Sequence, residues 1–394
     1  MTVFRLAAAL FLVQAGFHAY TAAMPLALGR EGAPEASIGL IMGAAAVVQI
    51  PAALVGGRLV DAFGGPRLFL AGGIAYLVAS GVIMLPAVDA GGSLAPFVLV
   101  RILQGIGIGL ALPSALSMVP RLVPPSGLSS GLAYVGAAQN LTLVVLPALS
   151  IAILDATSLE GVAAVVLVVV LAGLALGQRL PLRPLVLGAA AALPAAGRRF
   201  GITFRREWVK PLLIIITYVA HWGVVTAYLP VRAADAGADI GLYFAADGIA
   251  IFLMRLPSGW LLDRFTARAL ILVGAGATAV AVGMLLLPLT TPLLVVSGLL
   301  GGAAGALVVT PVTVELSRRS TDADRGSAFA LLSGGLATAM ALGSIGGAPM
   351  VALVGLSTAL VAGIALIGVS MALAVSDPLM ARTGRSQAPG VVAV

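Results

Sequence analysis

The chain contains no cysteine and very little charge. Without cysteine it can form no disulfide, no thiolate metal site and no cysteine nucleophile. Only 9% of its 394 residues are charged and 60% are hydrophobic, whereas a soluble globular protein carries about 25% charged residues. So few charges cannot cover a surface in water, and the composition therefore indicates a membrane protein.

Apolar runs of about 20 residues recur along the chain, which is the length of a helix that crosses a hydrocarbon core about 30 Å thick. The alternation over about 10 residues that is typical of membrane β-strands is not seen. The sequence therefore predicts an all-α membrane protein with twelve transmembrane helices. The predicted spans are 4–28, 36–60, 68–88, 94–118, 129–154, 158–178, 209–234, 239–262, 269–288, 292–316, 326–350 and 355–375.

One loop sequence occurs twice, at an offset of half the chain. Residues 57–64 read GRLVDAFG and residues 259–266 read GWLLDRFT, and the same offset pairs Ile38-Gly39-Leu40 with Ile240-Gly241-Leu242. A duplication of this length predicts two pseudo-symmetric six-helix bundles, with a substrate site at their interface. The predicted units are an N-terminal bundle (1–178), a basic linker (179–208), a C-terminal bundle (209–378) and a disordered tail (379–394).

The basic residues predict how the chain lies in the membrane. With the N-terminus in the cytoplasm, all but four of the 22 Lys and Arg residues fall in cytoplasmic segments, as the positive-inside rule requires. We therefore expect a multi-pass protein of the cytoplasmic membrane with both termini in the cytoplasm. The linker arginines favour anionic lipid headgroups, and the net charge of +7 then reflects topology rather than nucleic-acid binding. The exceptions are Arg30, Arg101, Arg232 and Arg255.

The duplicated loop resembles the Gly-x-Leu-x-Asp-basic-x-Gly-basic-basic motif of the major facilitator superfamily. This sequence departs from the motif at Ala62, at Gly65-Pro66 and at Thr266. The resemblance implies that Asp61 contacts the start of span 11 and Asp263 the start of span 5, so that the two acids help to hold the cytoplasmic side closed. The alternative is that they are solvated loop charges that enforce topology. The residues of this predicted conformational switch are Gly57, Asp61, Gly64, Arg67, Gly259, Asp263 and Arg264.

A second motif lies in span 4, where Arg101-x-x-Gln104-Gly105-x-Gly107 is similar to a pattern in antiporters of the superfamily. The resemblance implies a role for Arg101 in proton coupling. The alternative is an arginine that braces helices through backbone carbonyls. The Gly-Pro motif of drug–proton antiporters is missing from span 5. The loop signatures of sugar transporters are also missing from the sequence.

Few other polar residues lie within the predicted spans, and these are the candidates for the site. Asp247 is the only acid well inside a span, so it is the candidate protonatable carboxylate, with Arg255 eight residues further on in the same span. An ion pair between Asp247 and Arg255 or Arg101 is the structural alternative. Candidate substrate-binding residues are Gln14, His18, Gln104, Asn140, His221 and Asp247. Two histidines and an acid could also hold a metal, but their spacing does not support such a site.

Together these features predict a secondary active transporter, not an enzyme, that works by alternating access without a cofactor. We expect proton-coupled export of a small organic solute, with Asp247, Arg101 and Arg255 carrying the coupling. The expected partners are the solute, protons and membrane lipids, with no nucleic acid, and we expect a monomer. Proton-coupled uptake of an organic anion is the alternative, because the buried charges sum to a positive value. A membrane receptor that has lost transport is a further alternative.

Overall fold

The computed structural model describes residues 2–85, 93–124, 128–178, 180, 204–321 and 324–381. Within these ranges the chain is helical and forms no strand. Most of the predicted linker and almost all of the predicted tail lie outside the described residues. The α-helices are α1 (Thr2–His18), α2 (Tyr20–Arg30), α3 (Glu35–Phe63), α4 (Gly65–Ile83), α5 (Ala95–Met118), α6 (Leu128–Ala156), α7 (Leu159–Gln178), α8 (Val209–Asp235), α9 (Ile240–Arg255), α10 (Ser258–Arg264), α11 (Ala267–Met284), α12 (Thr291–Arg318), α13 (Arg325–Val354) and α14 (Leu356–Ser376).

Eleven stretches of helix in the described ranges are long and apolar enough to cross a membrane, with α1 and α2 forming the first together. They match eleven of the twelve predicted spans. The exception is the predicted span 239–262, which is split into α9 and α10. Pro257 lies at the break, and proline lacks the backbone N–H of a helix and clashes with the carbonyl four residues earlier. The predicted span is therefore covered by two successive helices, with a break that the sequence analysis did not predict.

The helices pack as two halves that repeat one arrangement. In the N-terminal half α3 and α4 pack on α5, and α1 packs on α6 and α7; in the C-terminal half α9 and α11 pack on α12, and α8 packs on α13 and α14. A matched hydrogen bond joins the first and third spans of each half. Tyr20 lies 2.9 Å from the Ser80 hydroxyl, and Tyr218 lies 2.7 Å from the Thr278 hydroxyl.

Two equivalent helix pairs connect the halves. The helix α3 packs on α13, and α9, its counterpart in the repeat, packs on α6. A close contact of α3 with α8 and α13 lies at the end of the bundle opposite the termini, which we call the far end. There a Cβ at Gly39 would overlap the Tyr228 hydroxyl and the Ser344 carbonyl, and that hydroxyl donates a hydrogen bond to the same carbonyl. The absence of a side chain at Gly39 therefore lets the halves close here.

The two copies of the duplicated loop differ in backbone conformation. Gly64 ends α3 with a φ of 86°, in the left-handed region that favours glycine. At the equivalent place Thr266 has a φ of −70°, and its hydroxyl accepts a hydrogen bond from the Ala269 amide that caps α11. The second copy departs from the motif because its turn needs a capping side chain and not a glycine.

A network of ion pairs ties together the helix ends of the C-terminal half at the end that carries the termini. Arg319 is 2.7 Å from the Asp377 carboxylate and 3.4 Å from the Glu315 carboxylate, and its carbonyl accepts a hydrogen bond from the Trp208 indole. Arg205 reaches Asp324 at 3.1 Å. These contacts join the starts of α8 and α13 to the ends of α12 and α14. Buried charges are tolerated in proteins when they are paired in this way.

The close approach at Gly39 predicts a conformational effect of adding a side chain there. Gly39→Leu should cost this closed far end about 1–3 kcal/mol, the usual penalty for overpacking, and so favour its opening. Because the chain has no native cysteine, spin labels at Ser158 and Ala236 can report the opening as a longer distance in a pulsed resonance measurement.

The matched control is Gly276→Leu, because a Cβ at Gly276 meets no atom within 4 Å. An unchanged distance distribution in Gly39→Leu would show that this contact does not hold the far end closed.

Candidate functional site

A cavity of about 240 Å³ lies mainly in the C-terminal half. Its walls come from α8, α9, α11 and α12, with one side chain each from α6 and α13. Three of the predicted site residues line it: Asp247 and Arg255 from α9, and His221 from α8. The structure therefore brings together the acid, the arginine and one histidine that the sequence singled out.

Asp247 places a buried carboxylate in the wall of this cavity. Its residue is only 5% exposed, and its carboxylate makes no hydrogen bond or ion pair with any residue that the structure describes. The Oδ1 atom faces α12, where a Cβ at Gly301 would lie 3.9 Å away. The nearby titratable groups are Tyr218 and Tyr243, with His221 and Arg255 on the same cavity wall. The carboxylate is thus available to a proton or to a bound solute.

Arg255 is the last residue of α9, just before the break that separates α9 from α10. It lines the same cavity as Asp247, and no acid within the described part of the chain pairs with it. Its backbone carbonyl accepts a hydrogen bond of 2.6 Å from the Ser258 hydroxyl at the start of α10. The break in the predicted span therefore positions this arginine, because it fixes where α9 ends.

Aromatic rings form much of the cavity wall. Trp222 and Tyr243 are stacked with centroids 6.4 Å apart, and Phe244 packs edge-on against both. His221 packs against Tyr218, and its Nδ1 lies 2.5 Å from the Tyr218 carbonyl. A carbonyl only accepts, so Nδ1 carries the hydrogen, and Nε2 of the neutral ring is an acceptor.

Three hydroxyls of the wall already donate their hydrogens within the protein. The Thr278 hydroxyl donates to the Gly274 carbonyl at 3.0 Å, so the Tyr218 hydroxyl is the donor in its pair with Thr278. The Ser297 hydroxyl donates to the Ala281 carbonyl at 2.9 Å. The cavity is therefore mainly apolar, with its chemistry concentrated at the charged residues and His221.

A second polar cluster lies in the N-terminal half, around Arg101. This arginine donates to Gln104 at 2.8 Å and to the Met42 carbonyl at 3.1 Å, and it lies 5.1 Å from the centre of the Phe17 ring. No described acid pairs with it, and no hydrogen bond or ion pair joins it to Asp247. The bracing contact with a backbone carbonyl that the sequence left open as the alternative is present.

The cluster continues from Gln14 to His18. Gln14 donates to Gln139 at 2.6 Å and accepts from the Tyr76 hydroxyl at 3.0 Å, and Gln139 lies 3.4 Å from the His18 ring. Gln14 and His18 are therefore joined through Gln139, and the Arg101–Gln104 pair lies beside them, because the Phe17 ring near Arg101 also packs edge-on against His18. Three buried atoms of the cluster find no hydrogen-bond partner among the described residues: His18 Nδ1, Arg101 Nε and Gln104 Nε2.

The residues of the predicted switch are only partly described. Gly57, Asp61 and Gly259 lie within helices, but their surroundings are outside the described part of the structure, as are those of Asn140. Arg67 and Asp263 are exposed, and Asp263 pairs with no described residue. Arg264 stacks over Trp260, with 4.2 Å from its guanidinium carbon to the ring centre. The side chains at the start of span 5 lie outside the described residues, so the implied contact of Asp263 stays a prediction.

Sequence reasoning missed several residues of both clusters. Gln139, the neighbour of the predicted Asn140, and Tyr76 were not considered. In the cavity Tyr218, Tyr243 and Trp222 were missed. The sequence offered one sign of Tyr218, because it lies near His221 as Tyr20 lies near His18 in the other half. As for the metal alternative, no group of three potential ligands occurs within the described ranges.

Comparison with known proteins places the fold. The model of the family described as the Major Facilitator Superfamily matches residues 6–239 and 212–390. No curated protein matches the chain in sequence.

Solved structures resemble the chain along nearly its whole length. A D-xylose–proton symporter has a TM-score of 0.77 at 19% identity, covering 97% of this chain and 99% of that one. The xylose transporter XylE from E. coli, in an inward open conformation, has 0.72 at 18%, covering 98% and 96%. The human organic anion transporter MFSD10 has 0.66 at 18%, covering 95% and 98%. At these identities the likeness shows the fold alone. Because the family model spans almost the whole chain and the helices pack as two related halves, the chain belongs to the Major Facilitator Superfamily and is a transporter rather than an enzyme.

Proposed function

We propose that the protein exports a small organic solute in exchange for protons, by alternating access between two six-helix bundles. The bundles are residues 1–178 and 209–378, joined by the basic linker 179–208 and followed by the tail 379–394. The protein acts as a monomer in the cytoplasmic membrane, with both termini in the cytoplasm and its linker against anionic lipid. Its partners are the solute and protons.

One observation carries this proposal: the Asp247 carboxylate has no partner among the described residues within a mainly apolar cavity. A charged carboxylate in such a place is costly unless something neutralises it. A proton or a positively charged group of the solute can do so, but not both at once. Mutual exclusion of proton and solute at one carboxylate is the chemistry that an antiporter requires. His221, Tyr218, Tyr243 and Arg255 face the same space and modulate the proton's binding.

The N-terminal cluster supplies a second element of the mechanism. An arginine within a bilayer costs at least about 2.5–3.5 kcal/mol on insertion scales, and Arg101 lowers this cost through Gln104, the Met42 carbonyl and the Phe17 ring. We assign Arg101 to proton coupling, and Gln14, His18, Gln104 and Asn140 to the part of the solute that faces the N-terminal half. His221 and Asp247 face its other part.

The loop acids act in the opposite conformation. The halves meet closely at the far end, around Gly39 and Ser344, while Asp263 is exposed at the end that carries the termini. This arrangement supports a state in which the cavity is reached from the cytoplasm, like the inward open state of the xylose transporter. We assign Asp61 and Asp263, with Gly57, Gly64, Arg67, Gly259 and Arg264, to closing the cytoplasmic side in the other state.

A second candidate function is proton-coupled uptake of an organic anion. It is favoured by Arg101 and Arg255, which have no described acidic partner and could bind an anionic group. The D-xylose–proton symporter and the organic anion transporter among the similar structures are consistent with it. The two candidates differ in the direction in which a proton gradient moves the solute.

The direction of coupling gives the first test. In proteoliposomes with an imposed pH difference, an exchanger accumulates solute on the acidic side, because protons leaving that side drive solute into it. A symporter accumulates solute on the alkaline side. We expect accumulation on the acidic side, measured with a radiolabelled solute found by a thermal-shift screen of metabolites. The result does not depend on how the protein is oriented in the vesicles, and equal levels on both sides would rule out proton coupling.

Asp247→Asn should abolish this accumulation while leaving exchange of solute for solute measurable. The amide keeps the size of the carboxylate but cannot take up and release a proton, so the proton gradient can no longer drive transport. Asp235→Asn is the matched control, because Asp235 is an exposed acid at the far end of α8 and should transport normally. If Asp247→Asn still accumulates solute against its gradient, this residue does not carry the proton.

Asp263→Asn should shift the protein toward the state seen here, since it removes a contact of the other state. Spin labels at Phe63 and Phe265, exposed positions at the cytoplasmic ends of α3 and α10, should then show a larger share of long distances. Asp155→Asn serves as a control, because its ion pair with Arg30 joins two helices of the same half. An identical distance distribution in Asp263→Asn and the parent protein would remove Asp263 from the switch.

A further inference from the structure

Two unpaired charges of opposite sign line the same cavity. Asp247 and Arg255 lie eight residues apart on α9, which separates their backbones by about 12 Å along the helix axis and about 80° around it. Neither has a counter-charge among the described residues. Because charges in a protein interior are normally paired, the cavity offers one anionic and one cationic site to whatever occupies it.

The wall near these charges suits an apolar or aromatic group. Trp222, Tyr243 and Tyr218 present aromatic surface, which packs on rings and attracts organic ammonium groups. The hydroxyl hydrogens of Tyr218, Thr278 and Ser297 are all donated within the protein. The Tyr243 hydroxyl and the Trp222 indole N–H make no hydrogen bond with a described residue, so they remain as donors beside the two charged side chains.

The size of the cavity narrows the class further. Its volume of about 240 Å³ is below the range of about 300–1,000 Å³ that is usual for sites of drug-sized ligands. Asp247 is the more deeply buried of the two charged residues, while Arg255 lies nearer the cytoplasmic end of α9. The cavity therefore fits a short molecule with its positive end deep and its negative end toward the cytoplasm.

We propose that the solute is a small organic zwitterion, with an ammonium group on Asp247, an anionic group on Arg255 and an apolar or aromatic middle between them. This inference rests on the proposed function, because it names the solute class of the same cavity. Such a solute is neutral overall and supplies both missing partners at once. Its release leaves Asp247 to take up a proton.

The test uses equilibrium binding to the purified full chain in detergent, with no gradient present. The probe is radiolabelled para-(aminomethyl)benzoate, which carries its two charges at opposite ends of a ring. Benzylamine, benzoate and D-xylose are the competitors, so that each charge is removed in turn. We expect the zwitterion to bind at least about tenfold more tightly than benzylamine or benzoate, the scale of one lost charged hydrogen bond, and D-xylose not to compete.

Two variants should divide the affinity between the charges. Asp247→Asn should weaken the binding of the zwitterion and of benzylamine at least about tenfold and leave the binding of benzoate unchanged. Arg255→Gln should weaken the binding of the zwitterion and of benzoate to the same extent and leave the binding of benzylamine unchanged. This crosswise pattern also excludes misfolding, because an unfolded variant loses both single-charge ligands. Asp235→Asn and Arg232→Gln remove the same charges from exposed positions at the far end of α8 and should bind as the parent does.

Several results would contradict the proposal that the solute is a zwitterion. They are benzylamine or benzoate binding as tightly as the probe, an Arg255→Gln variant with unchanged affinities, competition by D-xylose, or no binding of any probe. The test is separate from that of transport. If the variants bind in the crosswise pattern but no solute accumulates on the acidic side, the proposed export is wrong and the zwitterion proposal stands. If another solute accumulates with the gradient and no probe binds, the zwitterion proposal is wrong and the proposed export stands.

Discussion

A charge within a membrane must be neutralised, and the structure can be understood by asking how each buried charge meets this requirement. Arg319 is paired with Asp377 and Glu315, and this network fixes the helix ends of the C-terminal half. Arg101 is held by Gln104, a backbone carbonyl and an aromatic ring. Asp247 and Arg255 alone among these have no partner from the described chain, and both face a cavity. The groups that hold the fold are satisfied from within, whereas those that face the cavity have no described partner and are the ones that we propose bind a solute and a proton.

The repeat and its breakdown divide the molecule in the same way. The equivalent helix pairs between the halves, and the matched tyrosine hydrogen bonds of Tyr20 and Tyr218, belong to the scaffold that both halves share. Asp247 and Arg255 fall opposite Ala45 and Ala53 at the offset of the duplicated loop. Arg101 falls opposite Ala303. Each half thus carries its own chemistry on a common frame, and the solute site lies mainly where the repeat is lost.

The sequence predicted the helical fold because a bilayer requires long apolar segments, which composition alone reveals. It also selected Asp247 and Arg255, since charged residues are rare in such segments. It could not place the break at Pro257, because Pro51 and Pro113 lie inside unbroken helices and only tertiary context distinguishes them. It did not select Gln139, because helices that are apolar on every side give little sign of which face turns inward. The aromatic wall was invisible for the same reason.

The central claim is that the proton and the solute compete for Asp247. Proton release on binding tests it most directly: saturating solute is added to the purified protein in weakly buffered detergent solution, and the released protons are counted with a pH indicator. The account predicts up to one proton released per solute bound, with the number falling as the pH rises, and none from Asp247→Asn. Solute binding that releases no proton at any pH would contradict it.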